Sequence, residues 1–180
     1  MNFKTVKEVT SWQNFVLNGE IYDLSHLNAH WVEYLDKRDE TQPISYKFIV
    51  TYGLHCFTKK LDDLDDISRM MYNSPNESRP FNIKRYKLSK QLPSIIKSFG
   101  DRETLVCHAG YGNFATVKFL EEKDSHVDYF VVFAAFRERK KLRLHIVSAY
   151  PRYKGIGRVK KVGFFVIAKK LLHNQKLPKP

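Results

Sequence analysis

The sequence predicts an α+β fold, with an N-terminal helix and hairpin lobe over residues 1–87 followed by a basic helix and a four-stranded antiparallel meander over residues 88–180. Three observations carry this reading. Apolar residues near the start recur at helical spacing, four strand-like runs between residues 103 and 150 are joined by short links, and charge divides unevenly between the halves. Residues 91–180 hold 18 Lys and Arg against 7 Asp and Glu, a net of +11, whereas residues 1–90 hold 13 against 12.

Thr5 and Glu8 have capping-box spacing, and Val6, Val9, Trp12, Phe15 and Val16 then share one helical face until Asn18-Gly19 stops the run, so a first helix is expected. Residues 27–35 turn toward alternation and residues 44–51 are rich in aromatic and β-branched side chains, with a polar, Pro-containing link between them, which predicts a hairpin. The acidic run 61–66 leads into a short helix over residues 67–72, and residues 73–80 read as a polar loop. Ser89 is placed to cap a helix whose residues Leu92, Ile95, Ile96 and Phe99 share a face, with Pro93 in its first turn and Gly100 at its end. Strands are expected over residues 103–108, 114–121, 127–136 and 142–150. The links Gly110-Tyr111-Gly112-Asn113 and Glu122-Lys123-Asp124-Ser125 are short enough to make neighbours antiparallel. The run 127–136 is apolar on both faces and suits an interior strand. Phe164, Ile167, Ala168, Leu171 and Leu172 fit a last helical face, although residues 162–167 also read as a strand.

At 180 residues and 43% apolar composition the chain has enough material for a sizeable core. The first residues lack the apolar block of a secretory signal, and no run approaches the roughly 18 apolar residues that would span a bilayer, so no membrane is expected as a partner. The two cysteines, Cys56 and Cys107, make no disulfide framework, and a cytoplasmic, reducing location is expected. His55-Cys56 and Cys107-His108 each put adjacent residues on opposite strand faces, so neither chelates from one face, and no metal site is expected. Gly155-Ile156-Gly157 lacks the third glycine of a dinucleotide loop, and no cofactor is expected.

The positive surplus is densest from Arg137 to Lys161. A hairpin tip carries Arg137, Arg139, Lys140 and Lys141, and Arg152 and Arg158 follow; this field suits RNA or another polyanion. Strict alternation along residues 142–150 places Leu142, Leu144, Ile146, Ser148 and Tyr150 on one face, against the Ser89–Phe99 helix, and Arg143, His145 and Val147 on the other. A cation beside an imidazole can serve RNA transesterification: the imidazole moves the proton and the cation holds the phosphate. The same pair is also ordinary on the wet face of a strand. A second constellation joins Asp23, Ser25 and His26 with His55 and Cys56. It offers either an anion-binding rim or a cysteine nucleophile with a histidine base, and a buried, inert Cys56 is the blander alternative.

The helix 89–99 followed by the meander 103–150 resembles the barnase/colicin/RelE-like small ribonucleases of toxin systems and mobile elements. What that resemblance implies is a metal-independent endoribonuclease, with catalytic residues among His145 and Arg143, then Ser148 and Tyr150, and a cognate inhibitor protein as a partner. The alternatives are a non-catalytic module that binds nucleic acid or a protein partner, and a Cys56-dependent enzyme acting on a small substrate.

Overall fold

The computed structural model describes residues 9–61, 70–122, 125–153 and 157–179. Its frame is a six-stranded mixed sheet. The strands are β3 (His30–Asp36), β4 (Ile44–His55), β7 (Val106–Gly110), β8 (Asn113–Glu122), β9 (Ser125–Glu138) and β10 (Lys141–Arg152), and their spatial order is β3-β4-β10-β9-β8-β7. Strands β7 to β10 form an antiparallel meander and β3–β4 an antiparallel hairpin, but β4 lies parallel to β10, so both halves of the chain contribute to one sheet. Two short hairpins stand outside it: β1 (Phe15–Leu17) with β2 (Glu20–Tyr22), and β5 (Met71–Asn73) with β6 (Ser78–Pro80). The described helices are α1 (Ile83–Ser89), α2 (Leu92–Lys97) and α3 (Phe164–Leu172), with single 3-10 turns at Ser25–Leu27 and Ser98–Gly100. None is long and apolar enough to cross a membrane.

This strand-dominated sheet replaces the expected α+β layout. No helix lies at the described N-terminus. Asn18 and Gly19 take positive φ, 51° and 80°, and turn the chain into the β1–β2 hairpin instead of ending a helix. Asn-Gly is the favoured pair for such a turn, and the helical spacing of Trp12, Phe15 and Val16 was coincidental. The capping box at Thr5 and Glu8, with Val6, lies outside the described residues, as do residues 62–69, where a short helix was expected to begin. Its expected end, residues 71 and 72, lies in strand β5 (Met71–Asn73), and the expected loop 73–80 is a hairpin turn leading into β6. Ser89 closes α1 rather than capping α2, donating its hydroxyl to Tyr86 O at 2.7 Å.

One face of the sheet carries the main core. Tyr46, Phe48, Val50 and Tyr52 of β4, Leu142, Leu144 and Ile146 of β10, and Tyr129, Val131 and Phe133 of β9 pack with Leu92, Ile95 and Ile96 of α2 and with Phe164, Ile167 and Ala168 of α3. The other face bears a smaller cluster of Cys107, Ala115, Val117 and Phe130, with Val132, Tyr150 and Val159 packed against it. A bulge at Val147 separates the two halves of β10, because Ile146 pairs with Phe133 while Ser148 already pairs with Val132. One extra residue reverses the alternation. Ser148 and Tyr150 therefore share the face of His145 and Arg143, not that of Leu142 as strict alternation required.

Gly53 sits opposite this bulge. A Cβ there would stand 2.8 Å from Val147 O and 3.1 Å from Ile146 O, both backbone atoms that cannot swing aside. Gly53→Ala should therefore separate β4 from β10 and lower the unfolding free energy by about 1–3 kcal/mol. The urea midpoint measures this, and an unchanged midpoint would show that the two strands tolerate wider spacing.

A candidate nucleic-acid interface and an adjoining histidine cleft

Registered pairing builds the second face in rows. Trp31 pairs with Ile49, Ile49 with Arg143, and Arg143 with Phe136, so one line across four strands presents indole, isoleucine, guanidinium and phenyl. Trp31 is 50% exposed. Lys47 stands over its ring at 5.1 Å from the centroid, and Arg143 lies 6.0 Å from the Phe136 centroid. Arg143 also donates to Glu138 at 3.2 Å, which holds its charge beside the hairpin tip.

At the tip itself, Arg139 and Lys140 both have positive φ, 46° and 69°. The two-residue turn between Glu138 and Lys141 demands left-handed backbone, which Asn-Gly adopts readily and long side chains adopt at a cost of order 1 kcal/mol or more each. The β7–β8 turn, at the same end of the sheet, carries Tyr111 at φ 51° with its side chain fully in solvent. Of the remaining basic residues, Arg158 is exposed and Arg152 lies over Phe130 at 5.3 Å. Arg137 points elsewhere, donating to Leu172 O at 2.7 Å and so satisfying a terminal carbonyl of α3.

The next row of this face pairs Thr51 with His145 and His145 with Ala134. His145 is only 8% exposed, and its Nδ1 lies 3.0 Å from Thr51 Oγ1. Burial first, and the Arg143 charge second, push its pKa down to about 4. Its other edge borders a cleft of about 200 Å³ whose walls also include Trp12, Gly53, His55, Asn76, Glu77 and Val147. The β5–β6 turn supplies the outer wall, closed by Ser74 N–H donating to Glu77 O at 3.0 Å. There Arg79 donates to Glu77 at 3.1 Å and to His55 Nε2 at 3.0 Å, while Glu77 Oε2 lies 3.3 Å from the same nitrogen. One nitrogen cannot serve both: bare Nε2 of His55 accepts from Arg79, and Nε2–H donates to Glu77. Burial raises the Glu77 carboxyl, but the bonds from Arg79 and His55 outweigh it and hold the group below its ordinary range.

The sequence of Escherichia coli (strain K12) Protein YjaZ is 43% identical over 181 residues, covering 97% of this chain and 98% of that protein. The pattern of the YjaZ family matches residues 14–172. The chain belongs to the YjaZ family. That match takes in the whole sheet, both hairpins and α3. No solved structure matches the chain.

Of the residues singled out in the sequence, His145, Arg143, Ser148 and Tyr150 do share one face, but only His145 reaches the cleft. Tyr150 instead lies under the Arg85 guanidinium, 5.6 Å from its ring centroid. The Asp23, Ser25 and His26 segment is a turn: Asp23 accepts from Ser25 N and Oγ at 2.8 Å each, and His26 Nε2 meets Ser89 Oγ at 2.8 Å. Cys56 is fully buried in the main core, its thiol 3.6 Å from Ile146 O and pushed up to about 12 by burial. Trp31, Lys47, Phe136 and Gly53 were missed, because their roles depend on registers between distant strands.

Cys56 should resist thiol reagents in the native protein, and its rapid labelling would contradict the burial. For His145 the sign is set by its depressed folded pKa. Between about pH 6.5 and 4 the unfolded chain holds a proton that the folded chain refuses. Stability from this group is complete above about pH 6.5, falls as pH drops, and levels off near pH 4, a span of ~3 kcal/mol. Urea unfolding across that range should show a flatter pH dependence in His145→Gln than in the unmodified chain.

Proposed function

We propose that this protein binds single-stranded RNA on the second face of its sheet, with the β9–β10 tip as the electrostatic anchor. The carrying observation is the row Trp31–Ile49–Arg143–Phe136 beside a tip of Arg139, Lys140 and Lys141. The half-exposed Trp31 indole offers a stacking platform to an unpaired base, and the adjoining cations neutralise phosphates; together these are features of sequence-tolerant single-strand binding. The net charge of +12 draws a polyanion toward this face.

The geometry supports binding over cleavage. Arg143, the residue suited to hold a phosphate next to His145, is tied to Glu138 outside the cleft. Burial and the nearby Arg143 charge disfavour the imidazolium form of His145, which weakens it both as a base and as an acid. A cysteine enzyme has no accessible thiolate in Cys56. A reducing cytosol, where RNA is abundant, belongs to this proposal.

The turn strain supplies a test with two opposed signs. Replacing Arg139 by Asn and Lys140 by Gly should stabilise the fold by about 1 kcal/mol, since the new residues accept left-handed backbone. The same change should weaken binding to a single-stranded RNA and lower the slope of log K against log salt by about 0.7 for each phosphate that is no longer neutralised. Trp31→Ala should weaken binding with the slope unchanged. Stabilisation with undiminished RNA affinity would move the interface away from the tip.

A further inference from the structure

We propose that the cleft at the end of β4 and β10 receives a single nucleobase, splayed out of an RNA strand bound on the neighbouring rows of the sheet. The inference rests on the RNA-binding reading and names what that surface discriminates. Four observations carry it.

The cleft is a continuation of the interface. His145 follows Arg143 on the same face of β10, one step of about 7 Å along the strand. An RNA strand lying on the Trp31–Phe136 row therefore has its next nucleotide at the mouth of the cleft.

The size selects the occupant. About 200 Å³ lies below the roughly 300 Å³ at which pockets for drug-sized ligands begin, and suits one flat ring system.

The walls have the composition that base recognition uses. Trp12 and Val147 supply apolar surface, while His145, His55, Asn76 and Glu77 supply hydrogen-bonding groups around it. Trp12 is also nine-tenths or more buried, and its indole N–H has no partner among the described residues.

The charge is balanced. Glu77 is matched by Arg79, and His145 is neutral at physiological pH, so the wall neither concentrates positive charge for a phosphate nor repels a neutral ring. The Glu77 carboxylate in the cleft wall has lone pairs beyond those used by Arg79 and His55, with which it can accept from a base amino or imino group.

The experiment uses the full chain and the four ribonucleosides, which carry no phosphate and so bypass the basic tip. Nucleosides at millimolar concentration should shift the ring signals of His55 and His145 in NMR spectra. They should do so equally in the Arg139→Asn, Lys140→Gly chain. Asn76→Trp, a substitution on an exposed turn that fills the cleft, should abolish the shifts while RNA still binds, with its preference among homopolymers erased. His55→Ala, which adds no bulk, should weaken nucleoside binding about tenfold. RNA binding with histidine signals that no nucleoside moves would overturn the base pocket and leave the interface standing. Histidine shifts without any RNA binding would remove the RNA-binding reading and this proposal with it, since the occupant would then be a free nucleoside.

Discussion

The parallel contact between β4 and β10 is the constraint on which the rest of the molecule depends. It joins a hairpin from the first half of the chain to a meander from the second, and it runs through the most deeply buried rows of the sheet. The two backbones approach so closely at Gly53 that a Cβ there would stand 2.8 Å from Val147 O and force them apart. Hydrogen bonds from neighbouring groups lock its end: Arg85 donates to His55 O at 3.1 Å and Thr58 O at 2.7 Å, and Cys56 N–H to Gly53 O at 3.1 Å. Each of these saturates a carbonyl that the strand leaves unpaired as it turns away. Without this junction neither the Trp31–Phe136 row nor the histidine cleft would exist, since both combine residues from the two halves.

Local signals were legible and long-range ones were not. The β3–β4 hairpin and the β7 to β10 meander could be read because alternation and turn residues act over a few positions. The β4–β10 pairing joins residues nearly a hundred positions apart, and no local pattern encodes it. A hint was present: Ile49 and Thr51 are apolar or β-branched on the face opposite Phe48 and Val50, as an interior strand requires. The bulge at Val147 left no mark at all, having no glycine and no break in hydropathy, yet it decided which face Ser148 and Tyr150 occupy. At Asn18-Gly19 the sequence carried two meanings, helix stop and hairpin turn. The flanking triplets Phe15–Leu17 and Glu20–Tyr22 were too short to separate them by period.

The candidate site shows the same division. Charge is additive along the chain, so the basic tip was visible from composition alone. The chemistry of His145 was not, because it depends on Thr51 across the β4–β10 junction and on burial that only the assembled face provides. Sequence proximity suggested a partnership of Arg143 with His145. The fold instead gives Arg143 to Glu138 and Phe136, and brings His145 to the wall that His55 shares. Two residues apart on a strand share a face but are separated by a full pleat repeat, which is enough to assign them to different neighbours.

Several departures from local preference adjoin the second face of the sheet. Arg139, Lys140 and Tyr111 hold left-handed backbone with large side chains, although glycine or asparagine would hold it at less cost. Burial of His145 disfavours its protonated form, so that acid should cost this fold stability. The helix side is filled by aliphatic and aromatic side chains, with Tyr34 donating to Ile96 O at 2.7 Å, while the buried hydroxyls of Tyr46, Tyr52 and Tyr129 find no partner among the described residues. A surface needed only to cap a sheet would not keep cations at strained turn positions or an imidazole beneath the rim of a cleft. Two strained turns and a desolvated imidazole thus adjoin the aromatic row, the basic tip and the cleft, and the proposed interface rests on that coincidence rather than on net charge alone.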